Sequence, residues 1–225
     1  MPTREKVRSL LKSLRASYRW RERAREPDPV ERGVTALLAR ASSTPTARRV
    51  LRRLFAQFVD WNDIRVARPV ELEPAIEAER SPEVRERLRA ALEHVQRFLS
   101  ALARTRRGVE LRSLAGATLT EVRRFLGSLD VLEKEQVPVF AMLLGRGEKL
   151  ALDEDTARVL RRLGLVPRAA TRSRTESLLG RATDPAAYRT LYLLLKEHAV
   201  ERCRKDAPLC KGCRLHQRCR SRGKF

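Results

Sequence analysis

The sequence predicts an all-α protein. Apolar residues recur at the helical period in almost every segment. Capping residues stand in front of those segments, and no stretch sustains the period-two alternation of a half-buried strand.

Val7, Leu10, Leu11, Leu14 and Tyr18 mark one face of a first helix, and Arg4, Arg8, Lys12, Arg15 and Arg19 its basic face. Glu-Pro-Asp-Pro at 26–29 stops it. A second helix, about 29 to 41, carries Val34, Leu37 and Leu38. Ser42-Ser43-Thr44-Pro45 is a loop with capping chemistry, and the helix after it points Val50, Leu51, Leu54, Phe55 and Phe58 inward. Ser81-Pro82 opens the clearest helix, with Val84, Leu88, Leu92, Val95, Leu99 and Leu102 in period and an end near Arg106-Arg107-Gly108. Thr118-Leu-Thr-Glu121 is a capping box that opens a short helix to about Leu126. Pro138 opens Val139 to Leu144, and Gly-Arg-Gly at 145–147 is a turn. Leu152-Asp153-Glu154-Asp155 opens a helix that runs to Gly164, and a last long helix spans about 185 to 202.

Composition narrows the function. A chain of 225 residues can bury a sizeable core in one or two lobes. Lys and Arg total 49 against 28 Asp and Glu, a net charge of +21. Arginine-favouring codon usage explains Arg over Lys, but not the shortage of acids. The surplus predicts a polyanionic partner, of which nucleic acid is the usual one. No run of about 18 apolar residues exists, so no membrane span is expected. The first 25 residues are charged throughout and lack the apolar core of a signal peptide. The expected location is cytoplasmic, nucleoid-associated in a bacterium. Clustered cysteines there favour metal ligation over disulfides.

All four cysteines, Cys203, Cys210, Cys213 and Cys219, share one stretch with the spacing C-x6-C-x2-C-x5-C. Four thiolates suit tetrahedral zinc or a cubane iron–sulfur cluster. Zinc modules usually present two C-x2-C knuckles. A single knuckle with gaps of six and five residues suits one larger cluster, with zinc as the alternative. Basic residues crowd the stretch: Arg204, Lys205, Lys211, Arg214, Arg218, Arg220, Arg222 and Lys224, opposed only by Asp206. They can contact phosphates, offset the charge of a thiolate-ligated cluster, or do both. His216 inside the loop reads as a bystander.

This stretch, following a long helix, resembles the C-terminal iron–sulfur loop of the endonuclease III family of helix–hairpin–helix DNA glycosylases. Ala151-Leu-Asp-Glu-Asp-Thr-Ala-Arg-Val-Leu-Arg-Arg-Leu-Gly-Leu-Val166 is similar to that family's V-D-T-H-V-x-R-V-x-x-R-L-G-L-V. Asp153 takes the position of its essential aspartate. His198 and Cys203 fit its H-G-x-x-x-C, with Ala199 for glycine. The resemblance covers roughly the last third of the chain. It implies two helical lobes with a cleft between them and a 4Fe–4S cluster held by the four cysteines. Residues 1–27 would pack with the cluster lobe. Residues 28–150 would form a central lobe with the hairpin at about 118–145. Residues 151–225 would supply C-terminal helices and the cluster loop at 203–219. It further implies a monomer that binds double-stranded, damaged DNA, flips a base out and cleaves its glycosidic bond. Arg204, Lys205, Lys211, Arg214 and Arg218 are the candidate DNA contacts.

The family's hairpin L-P-G-V-G-x-K-T-A is matched here by Leu129-Asp-Val-Leu-Glu-Lys-Glu-Gln-Val137, which has no glycine. Glu135 stands at the place of the nucleophilic lysine, with Lys134 beside it. The family's L-L-S-A-Q-A-T-D is here Leu37-Leu-Ala-Arg-Ala-Ser-Ser-Thr44, without the glutamine, and its G-L-Y-x-x-K-A turn is not visible near Ser81. Efficient AP-lyase chemistry is therefore not expected. An N-glycosylase in which Asp153 stabilises an oxocarbenium-like state is the first expectation, with Lys134 a further catalytic candidate. A non-catalytic DNA-binding member of the same fold is the second, and a zinc-stapled nucleic-acid module the third. Asp153 followed by two acids is also ordinary helix capping.

Overall fold

The computed structural model describes residues 2–18, 28–105, 108–146 and 149–224. Arg19, Glu26, Pro27, Arg106, Arg107 and Gly147, which carried expectations above, lie outside the described residues. Among the described residues the protein is all-α, with eleven α-helices and no strand. No helix is long and apolar enough to cross a membrane. The chain divides into two compact units: a terminal unit of Met1–Arg25 with Gly145–Phe225, and a central unit of Glu26–Leu144.

The central unit begins with α2 (Pro29–Ala41), capped by Asp28, whose carboxylate accepts from the Val30 N–H. α2 packs on α3 (Thr44–Gln57) and on α6 (Pro82–Ala103). At Gly33 a side chain would meet Phe98 at 3.3 Å, so glycine lets α2 approach the buried Phe98–Phe140 pair. Ser43 and Ser81 cap α3 and α6 as their positions predict. Between them lie two short helices that periodicity did not show, α4 (Trp61–Val66) and α5 (Pro69–Leu72). Gln96 of α6 donates to the Ile64 and Ala67 carbonyls, satisfying the open end of α4. Two aromatic residues expected inward are not. Phe55 is 42% exposed and stacks edge-on against Trp61, and Phe58 ends α3 half-buried, because the inward positions of this helix are already filled by Val50, Leu51 and Leu54.

The Thr118–Glu121 capping box opens α7 (Leu119–Ser128). A turn then leads to α8 (Gln136–Ala141), which packs on α7. Asp130 in that turn has φ of 52°, a left-handed conformation that Asp tolerates better than most residues. α8 starts two residues before Pro138, which sits where its missing N–H costs no helical bond. A π-helical turn, Met142–Arg146, follows where a plain turn was expected at 145.

In the terminal unit, α1 (Arg4–Ser17) buries Val7, Leu10 and Leu14 and leaves Arg4, Arg8, Lys12 and Arg15 exposed. It packs on α11 (Tyr188–Glu201) and on α10 (Arg172–Ala182). α9 (Glu154–Leu163) packs on α10 and α11. α10 was not foreseen, and a 3₁₀ turn, Pro185–Ala187, precedes α11 where one continuous helix was expected.

Candidate metal centre and nucleic-acid interface

α11 releases the chain into the cysteine loop through two bonds to one carbonyl. The N–H groups of Arg202 and Cys203 both donate to His198 O, at 3.1 and 2.7 Å. The loop then folds as successive tight turns, Cys213 N–H to Cys210 O and Cys219 N–H to His216 O, each 3.1 Å. Gly212, at φ of 77°, supplies the left-handed residue inside the C-x2-C knuckle. Leu215, 1% exposed, pins the loop to the unit's core. Cys203, Cys210, Cys213 and Cys219 are free, half-buried thiols, and all four line one cavity together with Arg162 and His198.

α9 supplies the clamp. Arg162 donates to the carbonyls of Arg204 (2.5 Å) and Lys205 (2.7 Å) and approaches Cys203 Sγ at 3.6 Å. Arg158, one turn earlier on the same face, donates to Cys203 O at 3.1 Å. Cys219 Sγ lies 3.4 Å from the Arg162 carbonyl. His198, 4% exposed, shares a hydrogen bond between Nδ1 and the Tyr18 hydroxyl (2.7 Å), and its Nε2 faces Cys213 Sγ at 3.9 Å. Burial, with help from Arg202, lowers the His198 pKa to about 4, so the ring is neutral. Burial also pushes the Cys213 thiol up, and the three other cysteines add to it. This donor set suits thiolate ligands: the sulfurs line one cavity, and a guanidinium and an imidazole nitrogen face two of them. Among the described residues, no group of three or more His, Cys, Asp or Glu side chains converges on a single metal ion.

The five candidate DNA contacts, Arg204, Lys205, Lys211, Arg214 and Arg218, are all exposed on this loop. Two of them also tie it to α1: Arg214 donates to Ala16 O (3.3 Å) and Arg218 to Ser9 Oγ (2.7 Å).

Asp153 is the N-cap of α9. Its Oδ1 accepts from the Thr156 N–H and hydroxyl, each at 2.9 Å. Its Oδ2 meets Lys196 Nζ at 2.8 Å and the Tyr192 hydroxyl at 3.1 Å. Lys196, 5% exposed, also reaches Asp155 at 2.7 Å. Burial raises both carboxyls, but Lys196 and the local donors outweigh it, holding Asp153 below the usual carboxylate range and Asp155 at about 2. Both are ionised at neutral pH. Sequence reasoning missed Lys196, although it lies four residues after Tyr192, on the same helix face, at the end of a leucine run. Lys134 is exposed in the turn before α8 and belongs to the central unit, whereas Asp153 belongs to the terminal one.

Solved structures match this architecture along the whole chain. A non-covalent endonuclease III–DNA complex is 18% identical with a TM-score of 0.63, covering 100% of this chain and 98% of that one. The fold is that of the endonuclease III structures. A trapped endonuclease III–DNA covalent intermediate gives 18% identity and a TM-score of 0.59, covering 100% and 99%. A thermostable thymine-DNA glycosylase gives 15% and 0.61, covering 98% of each chain. No protein-family model and no curated protein matches the sequence.

Proposed function

We propose that the chain is a DNA-binding base-excision protein, an N-glycosylase without efficient AP-lyase activity, whose Cys203, Cys210, Cys213 and Cys219 hold a 4Fe–4S cluster. The observation that carries this reading is the gathering of four thiols around one cavity, on a fold shared with endonuclease III–DNA complexes. The +21 charge supports a polyanionic partner. The single C-x2-C knuckle, flanked by gaps of six and five residues, supports one larger cluster over zinc gripped by two knuckles. When bound, that cluster supplies a staple across the loop and takes no part in the reaction proposed for Asp153.

The Asp153 carboxylate, held ionised, would oppose the positive charge that develops at the sugar C1′. The C1′–N bond breaks with its electron pair leaving on the base. Water oxygen bonds to C1′, and a water proton goes to the base. A Schiff base needs a lysine nucleophile, but Glu135 stands at that position and exposed Lys134 beside it, so no lyase step is proposed.

One observation favours a second reading, a non-catalytic DNA-binding protein: both oxygens of Asp153 already have internal partners. One set of measurements separates the two. The purified protein is expected to be brown, with about four irons per chain. It is also expected to release a base from at least one lesion in a broad duplex panel. Asp153→Asn should lower that release at least about 100-fold while keeping DNA affinity. No release from any lesion, with DNA binding intact, establishes the second reading. Zinc in place of iron overturns the cluster.

A further inference from the structure

The terminal unit carries a second concentration of positive charge. Two cavities share Gly164, Arg218 and Arg220 and so run together as one groove. Lys6 of α1, Arg168 from the segment after α9, and Arg220, Arg222 and Lys224 of the C-terminal tail line it. Among the described residues, no Asp or Glu lines either cavity. Arg161 is occupied by Glu154 and the Ala170 carbonyl, and Arg218 is held by Ser9 Oγ. The other five side chains have no hydrogen-bond or ion-pair partner among the described residues.

The groove is built into the fold. Gly164 ends α9 at φ of 73°, and a Cβ there would lie 2.1 Å from Arg220 Cδ. The Arg220 stem thus lies across bare backbone where the two cavities meet. Unpaired cations in one groove repel each other, and a bound anion removes that repulsion. Cations spread over three chain segments suit a linear array of phosphates, and planar guanidinium groups suit their oxygens.

We propose that this groove is a second nucleic-acid site, which takes the phosphodiester backbone of a strand; it shares Arg218 with the candidate contacts of the cysteine loop and includes none of Arg204, Lys205, Lys211 and Arg214. It goes beyond the function proposed above and does not require base excision.

The test uses the iron-loaded full-length protein and a fluorescein-labelled duplex, with affinity followed by anisotropy between about 50 and 200 mM salt. Replacing Arg168, Arg220 and Arg222 together by Ala should flatten the plot of log affinity against log salt by about 0.9 per lost contact, about 2.7 in all. The matching triple Lys variant keeps the slope. Replacing exposed Arg52, Arg87 and Arg97 of the central unit by Ala should leave it unchanged, and an equal flattening there reduces the effect to net charge and overturns the site. An unchanged slope in the groove variant, with calorimetric binding of inorganic phosphate lost, assigns the groove to free phosphate and overturns the strand. A second measurement needs no variant: the duplex should protect Arg168, Arg220 and Arg222 of the wild-type protein from phenylglyoxal, read by mass spectrometry. Full modification of all three in the complex overturns the proposal. Base release, assayed on the same preparations, reports separately on the catalytic reading.

Discussion

Arg162 reaches the cysteine loop from α9 and touches three successive residues, Cys203, Arg204 and Lys205. Arg162→Ala removes those donors while leaving all four sulfurs in place. With the proposed cluster bound, iron per chain should fall, and the brown colour should bleach several-fold faster in air. Arg162→Lys should not restore it, because an ammonium cannot span the carbonyls that a planar fork spans. Equal iron retention in the three proteins would refute the clamp. Lys196 argues similarly for Asp153 and Asp155. Lys196→Met takes the buried cation from two carboxylates and should cost up to about 3 kcal/mol in denaturant unfolding, the low end for a broken pair, because Asp155 is 41% exposed and keeps Arg158, and Asp153 keeps Thr156 and Tyr192. The sign with pH follows from depressed folded pKa values. The pair stabilises the wild type above the usual carboxylate pKa of about 4. That stability drains away as pH falls through the Asp155 value of about 2. Lys196→Met removes the strongest opposition to burial and leaves Thr156 at Asp153 and Arg158 at Asp155, so its acid unfolding should begin at higher pH, and coincident acid transitions would contradict this. At this scale the sequence showed residue types but not partners. Asp153 read equally as cap and as catalytic group. Only the packing of α9 on α11 shows it capping a helix while meeting a buried lysine.

Helix starts were legible where a capping residue stood before a strong apolar pattern. Ser43, Ser81, Thr118 and Asp153 all accept from the N–H group three residues on. Helices escaped notice where the apolar signal was thin. α4 buries only Ile64, and α10 buries Thr175, Leu178, Leu179 and Ala182 among polar residues. The end of α9 was legible through Gly164, and it makes a test. Gly164→Ala places a Cβ in the left-handed region, costing about 1–2 kcal/mol, and pushes it against Arg220. The thermal midpoint should fall. Adding Arg220→Ala should recover part of the loss, and a double variant no more stable than the single one would show that backbone strain alone matters.

The terminal unit joins both ends of the chain, and its loop is tied to α1 through Arg214 and Arg218. Bleaching the proposed cluster should therefore raise hydrogen exchange in residues 203–219 and in α1 together, while α2 to α8 of the central unit keep their protection. Matching losses in α2 to α8 would contradict a separate cooperative unit. The all-α class was legible from periodicity alone, and the endonuclease III-like architecture from the loop spacing and the Asp153 segment. The partner of α1 was not legible from its own pattern. An amphipathic stripe of Val7, Leu10 and Leu14 states that something covers it, not what.

The split terminal unit also sets an order of events during synthesis. The central unit is continuous and can fold as soon as Leu144 has emerged. α1 leaves the ribosome first, but the helices it packs on come last. At about 5–20 residues per second, its apolar stripe waits roughly 10–40 s for α10, α11 and the cysteine loop. α1 is thus made before the central unit and completed after it. Its basic face keeps a waiting apolar stripe in water until the C-terminal segment closes over it.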